Sequence, residues 1–313
     1  MTGALVTGIS GRDGSYLAER LLAEGVEVHA LVLRDDASPY TPTGVTLHHG
    51  DLTDVEAIRR LVLDLAPDEV YNLAAISSVA QSWDEPDTVA RVNGPAAVAL
   101  MESARQVGDH VRFIRASSAE IFGQPDSSPQ SETTPVRPLN PYGAAKAYAH
   151  LAIGVQRQRG AHASSLVLYN HESPRRPERF VTRKITAGVA AIAHGRAGTL
   201  TLGNLEARRD WGWAPDYVDA MLRAARADEP DDYVVATGVG HTVCDFVATA
   251  FGHAGITDWE PLVSSDPALT RPADATDLTG DATHARDQLG WEPTVDFDGL
   301  VAAMVAADMR ENS

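Results

Sequence analysis

Ala4-Leu5-Val6-Thr7-Gly8-Ile9-Ser10-Gly11-Arg12-Asp13-Gly14-Ser15-Tyr16-Leu17 lies at the start of the chain. A short apolar β run enters glycines spaced Gly-x-x-Gly-x-x-Gly, and Leu17, Leu21 and Leu22 then share one helical face. A strand that turns on glycine into a helix predicts the first half of a βαβ unit that cradles a dinucleotide. Gly8 permits the tight turn, Gly11 lets backbone approach a pyrophosphate, and Gly14 lets the helix lie close on the sheet. The helix N-terminus then faces the phosphates, with Arg12 and Asp13 of the loop beside them.

Outward from this unit the alternation continues. Residues 26–32 and 45–48 predict the second and third strands, and residues 55–65 an amphipathic helix. Residues 70–73 and 113–116 predict further strands, with an alanine-rich helix over 89–107 between them. Strands alternating with helices predict an α/β fold whose parallel sheet is covered on both faces. Right-handed crossovers make it a doubly wound Rossmann sheet. Beyond about residue 170 the pattern changes to a loop at 174–177, helices over 180–194 and 216–227, a strand over 199–202, and a helical tail over 281–290 and 299–309. Residues 230–236 and 258–265 predict short strands or loops. The expected division is a dinucleotide-binding Rossmann domain over 1–170 and a smaller C-terminal substrate-binding lobe over 171–313. Some elements of the second part return to the first sheet.

The chain has 313 residues and a formal charge of −17, with a sequence pI of about 4.9. Such an acidic chain is poorly suited to nucleic acid, although local arginines and helix N-termini still bind small anions. Cys244 is the only cysteine, so no intrachain disulfide is possible and a reducing compartment suits the chain. The amino terminus enters a strand without a basic region and apolar run. No stretch approaches the roughly 18 apolar residues that span a bilayer. A cytoplasmic protein that binds neither nucleic acid nor membrane is expected.

The chemistry-bearing residues follow the strands. The second strand ends Val32-Leu33-Arg34-Asp35-Asp36. Arg34 can hold a ribose 2′-phosphate bidentately, whereas Asp35 or Asp36 can accept from a free ribose; the first favours NADP and the second NAD, and NADP is the expectation. Asp51 and Leu52 follow the third strand, near the adenine, and Leu73-Ala74-Ala75 follows the fourth, where small residues let backbone approach the cofactor. Ser117-Ser118-Ala119-Glu120 follows the fifth, and Tyr142-Gly143-Ala144-Ala145-Lys146 opens a helix beyond it. Tyr142 and Lys146 stand one helical turn apart. A tyrosine ordinarily has a pKa of about 10, and a nearby ammonium favours its phenolate. That phenolate can take a substrate hydroxyl proton as hydride leaves the same carbon, with Ser118 bonded to the same oxygen. Glu120 supplies a carboxylate that an alcohol oxidation does not need; a base is needed to take a proton from carbon beside a new carbonyl.

Arginines recur in the second part, in Asn170-His171-Glu172-Ser173-Pro174-Arg175-Arg176, at Arg183-Lys184, at Arg208-Arg209 and at Arg271. They can converge on a diphosphate and a nucleobase. His171 has no second histidine or cysteine at ligand spacing, so no metal is expected.

These strings resemble the GDP-mannose 4,6-dehydratases, a family of extended short-chain dehydrogenases. The resemblance is carried by Gly8 through Glu19, Tyr169 through Arg176, Phe180 through Thr186, Leu202 through Gly212, Asp228 through Val234, and Leu289 through Pro293. It implies a tightly held NADP reduced and reoxidised within one turnover. Ser118, Tyr142 and Lys146 are then implied at C4 of the sugar, and Glu120 at C5 and C6. His171 and Arg176 are implied at the cofactor. Ser82, Asn170, Lys184, Gly203, Arg209 and Arg271 are implied at the GDP-sugar.

Several positions depart from the family pattern. Arg12 stands in place of Gln, Ser118 of Thr, Ala119 of Ser, Ile76 of Gln and Ser78 of His, while Trp213 and Pro215 alter the segment after Asp-Trp-Gly. Residues 35–44 are shorter than the family loop that reaches a neighbouring subunit. The resemblance therefore implies a homodimer through a helix pair of the Rossmann domain, with a tetramer as the alternative. A related GDP-sugar such as a heptose, a sugar-nucleotide epimerase, a 4-keto reductase and a non-catalytic nucleotide sensor stay open as other readings.

Overall fold

A computed structural model describes residues 3–34, 38–269, 273 and 275–311. Asp35, Asp36 and Arg271, each given a ligand role above, lie outside the described residues.

The first unit forms as its glycines require. β1 (Gly3–Thr7) is followed by α1 (Arg12–Ala23), and Gly8 turns the chain between them at φ +78°. A Cβ at Gly14 would sit 2.3 Å from the Gly8 carbonyl oxygen, and one at Gly8 would sit 2.6 Å from the Ala74 nitrogen. Neither position has room for a side chain. β2 (Glu27–Val32), β3 (Thr46–His49), α2 (Val55–Leu65) and β4 (Glu69–Asn72) continue the winding.

The helical stretch expected over 89–107 is two helices. After α3 (Val79–Asp84) come α4 (Pro86–Asn93) and α5 (Pro95–Val107). Pro95 has no N–H to continue α4 and instead opens α5 at its first turn. β5 (Arg112–Ala116) and α6 (Pro141–Arg157) follow, then β6 (Ala163–Leu168), a strand absent from the reading above. Ser164 and Ser165 interrupt its apolar run although both are fully buried.

The second part begins with β7 (Asn170–Glu172), α7 (Val181–Ala193), β8 (Leu200–Leu202) and β9 (Arg208–Trp213). α8 (Ala214–Ala225), β10 (Asp232–Val235), β11 (Gly240–Thr242) and α9 (Val243–His253) come next. β12 (Val263–Ser265), β13 (Asp277–Leu278), α10 (Thr283–Leu289) and α11 (Phe297–Glu311) end the described chain.

Seven strands pair in the order β10-β6-β5-β4-β1-β2-β3, all parallel. The run from β3 to β6 is the doubly wound order, and β10 extends it. On one face Leu17 and Leu21 of α1 and Val218, Met221 and Leu222 of α8 close over Val6, Ile114 and Leu166. On the other, Ile58 and Val62 of α2 and Leu100 and Met101 of α5 close over Leu5, Val70 and Phe113. A smaller sheet, β11-β9-β13 with β7 on β9, and the pair β8-β12 lie beside this core. There Ile185, Val189, Trp211, Phe246, Phe251, Leu300 and Met304 form a separate apolar cluster joining α7, α9 and α11. No helix among the described residues is long and apolar enough to cross a membrane.

α7 and α11 are also joined by charge. Arg183 Nε donates to Asp308 Oδ1 at 2.7 Å and Oδ2 at 3.0 Å, and Arg183 Nη2 lies 2.6 Å from Oδ1. Both residues are buried. Removing one member leaves the other charge buried without its partner, so Asp308→Ala should lower stability by about 3–5 kcal/mol. Urea unfolding followed by tryptophan fluorescence would read the loss.

Candidate active site

Parallel strands all end on one side of the sheet, and loops leaving those ends enclose a cleft of about 1200 Å³. The glycine loop forms one wall. Gly8, Gly11, Arg12, Asp13 and Gly14 line it, as do Asp51 and Leu52 after β3 and Leu73, Ala74 and Ala75 after β4. Asp51 accepts from the Thr53 N–H at 2.8 Å and the Thr53 hydroxyl at 2.7 Å, which hold its carboxyl below the usual range. Arg34 is exposed immediately beyond β2 and outside the cleft lining.

Charge is concentrated behind the glycine loop. Arg12 is buried, and its Nε and Nη2 donate to Asp13 at 2.7 and 3.1 Å. Its Nη1 donates to the His171 carbonyl and, at 3.3 Å, to Glu172. The arginine that replaces the family's glutamine therefore fastens the loop to β7, and its guanidinium is engaged within the protein. His171 is fixed between the Tyr169 carbonyl, 2.7 Å from Nδ1, and Asp13, 2.9 Å from Nε2, with its ring stacked on Tyr217. Burial alone would raise the Asp13 pKa, but Arg12 and His171 overcome it and hold this carboxyl well below the usual range. Arg176 pairs with Glu172 at 3.1 Å, lies over the Phe180 ring, and lines the cleft. Burial lowers its pKa to about 10.

The opposite wall is made by the end of β5 and the start of α6. Ser118 Oγ accepts from the Glu120 N–H at 3.3 Å, starting a single 3-10 turn over Ala119–Ile121. Asn140 caps α6, its Oδ1 accepting from the Gly143 N–H at 2.8 Å. Its Nδ2 donates to Glu120 Oε2 at 2.8 Å. Tyr142 and Lys146 share the inward face of α6, the Lys146 ammonium lying 5.8 Å from the Tyr142 ring centre. Lys146 Nζ donates to the Ala116 carbonyl at 2.8 Å. Ser118, Glu120, Tyr142 and Lys146 all line the one cleft.

Protonation at this wall is set by burial and by arginine. Burial holds the Tyr142 pKa above its ordinary value; the Ser118 hydrogen bond, Arg115 and Arg176 lower it only in part, and Glu120 adds to the rise. Burial, followed by repulsion from Arg115, brings the Lys146 pKa well below its ordinary value. The positive field on the phenol thus includes two guanidinium groups, where the sequence pointed to the lysine. Arg115 is 1% exposed on β5. Its Nη2 donates to the Asn93 carbonyl at 3.2 Å. Asn93 in turn accepts from the Ile76 N–H at 2.9 Å and donates to the Ile76 carbonyl at 3.0 Å, fixing the loop after β4.

Of the residues expected at a sugar nucleotide, Asn170, Lys184, Gly203 and Arg209 line the cleft. A Cβ at Gly203 would lie 2.8 Å from the Leu269 carbonyl oxygen. Ser82 requires correction: it is fully buried in α3, its hydroxyl donates to the Val79 carbonyl at 2.7 Å, and it is not part of the cleft lining. The expectation that the arginines converge also fails in part. Arg175 lies over Tyr16 and donates to Ser15 and Glu19, and Arg183 is held by Asp308. Asn93, Arg115 and Asn140 were missed. Asn140 carried a signal, since Asn directly before a proline at the first helical position marks a helix cap.

The family model described as GDP-mannose 4,6 dehydratase matches residues 5–304. GDP-mannose 4,6 dehydratase 2 of Arabidopsis thaliana is 45% identical, over 98% of this chain and 87% of its own length. The human GDP-mannose 4,6 dehydratase is 40% identical, over 98% of this chain and 91% of its own. Among solved structures, a UDP-glucose 4-epimerase of Thermus thermophilus in complex with NAD superposes with a TM-score of 0.86 at 29% identity, over 98% of this chain and 99% of its own. An epimerase shares the fold, so fold alone does not separate the two chemistries. The full-length sequence match does: this chain belongs to the GDP-mannose 4,6-dehydratase family.

Proposed function

We propose that the chain removes water from GDP-mannose, or a close GDP-sugar, to give the 4-keto-6-deoxy sugar nucleotide with no net redox change. The observation that carries this reading is the pairing of the Tyr142 phenol with the Glu120 carboxylate on one wall of one cleft. The glycine loop fits a dinucleotide, since Gly8 and Gly14 have no room for a side chain and the N-terminus of α1 opens on the cleft. We assign the cofactor as NADP rather than NAD, with Arg34 at the 2′-phosphate. His171 and Arg176 are assigned to the same ligand. Asn170, Lys184, Gly203 and Arg209 are assigned to the GDP-sugar, which makes the second lobe the substrate lobe. A nicotinamide held there would supply reversible hydride transfer, from C4 and back to C6.

Tyr142 takes the C4 hydroxyl proton, with Ser118 on the same oxygen, and C4 becomes a carbonyl. That carbonyl acidifies the C5 proton. Glu120 takes this proton, and the C5–H electron pair forms a double bond to C6 as hydroxide leaves C6. Glu120 protonates the departing group, so one water is lost. Return of the hydride to C6, with a solvent proton placed on C5 by Glu120, would complete the methyl group. The keto product keeps the oxidised C4. Glu120→Gln should bind GDP normally yet lose deuterium exchange at C5 and product formation by about 100-fold or more. Unchanged turnover, read as loss of one water by mass spectrometry, would sink the assignment.

The phenol must be ionised to take the C4 proton, so kcat/KM falls as pH drops below its pKa. Arg115 lowers that pKa from within the sheet. Arg115→Met should therefore move the acid limb of the kcat/KM profile to higher pH. A limb that stays in place would show that the phenol does not depend on this guanidinium.

We further propose a homodimer through the outer face of α6 and a cytoplasmic location. Tyr148, Leu151 and Val155 recur at helical spacing on that face and are 52%, 57% and 55% exposed. Leu151→Glu should yield a monomer by light scattering after size exclusion; an unaltered mass would place the interface elsewhere.

A further inference from the structure

We propose that Asn140 is a positioning residue for the dehydration step. Its amide fastens Glu120 to the first turn of the helix that carries Tyr142. The C5 base and the C4 base then keep one fixed relation. The inference rests on the role of Glu120 proposed above.

Three observations support it. Asn140 is 5% exposed and bonded in two directions. Its Oδ1 accepts from the Gly143 N–H at 2.8 Å and its Nδ2 donates to Glu120 Oε2 at 2.8 Å. The orientation of the amide is dictated by its partners, because a flipped group would face donor with donor and acceptor with acceptor. Next, the two backbones touch: a Cβ at Gly143 would lie 2.5 Å from the Glu120 carbonyl oxygen. The start of α6 therefore rests directly on the residue it must position. Finally, Glu120 is only half-buried and its Oε1 has no protein partner among the described residues. Holding Oε2 restricts a side chain that would otherwise sample several rotamers, and leaves the other oxygen free for the sugar.

A helix cap alone does not require this arrangement. Asp caps as well as Asn does, and Gly nearly as well. Neither has a side-chain hydrogen to donate to a carboxylate, the Asp being ionised. The two functions of Asn140 are therefore separable by substitution, with the cap retained and the donor removed.

The test uses the full chain with its cofactor and compares Asn140→Gly, Asn140→Asp and Glu120→Gln with wild type. Thermal unfolding and GDP titration calorimetry establish folding and binding. Stopped-flow absorbance of the reduced nicotinamide reads C4 oxidation, and mass spectrometry in deuterium oxide reads exchange at C5. For both Asn140 variants, unfolding, GDP affinity and the oxidation rate should stay at wild-type values. Exchange at C5 and product formation should fall about 10- to 100-fold, as expected when a reacting group is misplaced. The Asp variant should be the slower, because its carboxylate repels that of Glu120. Reduced nicotinamide should accumulate in both. Wild-type exchange in the Asn140 variants alongside an inactive Glu120→Gln would overturn the role of Asn140 alone. Equal loss of oxidation and exchange, or loss of folding, would reduce it to a structural cap. Wild-type exchange in Glu120→Gln would instead overturn the reading of Glu120.

Discussion

The backbone of α1 rests on the backbone of the turn beneath it. Position 14 faces the Gly8 carbonyl oxygen and position 8 faces Ala74, with no space for a methyl group at either. This contact sets how deeply α1 sits on β1, and so where its N-terminus points. It also brings the loop after β1 against the loop after β4. Two of the loops that line the cleft therefore have their spacing determined by main chain rather than by adjustable side chains.

A second constraint is electrostatic. The chain carries a formal charge of −17, yet Arg12, Arg115, Arg176 and Arg209 cluster at or behind the cleft with little exposure. Buried guanidinium groups need partners, and Arg12 has Asp13 and Glu172 while Arg176 has Glu172. Guanidinium groups at the cleft are thus placed to meet a diphosphate at short range even in an acidic protein. Arg115 is placed differently. Among the described residues its hydrogen bond goes to the Asn93 carbonyl, and its charge lowers the pKa of both Tyr142 and Lys146.

Much of the architecture was legible because local pattern and tertiary role coincide. The glycine turn, the alternation of strands and helices through β5, and the Tyr-x-x-x-Lys spacing each follow from neighbouring residues. The failures have a common cause. β6 was hidden because Ser164 and Ser165 are polar residues buried in a strand. β7, β11 and β13 span only two or three residues each, so they exist by pairing with β9 rather than by propensity. The break before Pro95 was visible in principle, since proline carries no amide hydrogen. Ser82 was misplaced because sequence does not say which face of α3 meets the core. Asn93, Arg115 and Asn140 act across elements that are adjacent only after folding.

α6 meets two different demands along its length. Its inner side presents Tyr142 and Lys146 to the cleft, and its outer side presents Tyr148, Leu151 and Val155 to solvent. A rigid rod transmits any rotation about its own axis to every residue it carries. Pressure applied on the outside would thus swing the phenol relative to the sugar, although the pressing surface never enters the cleft. Were two copies to meet on this face, their association and the rate of chemistry would be coupled variables, joined by the stiffness of a single helix.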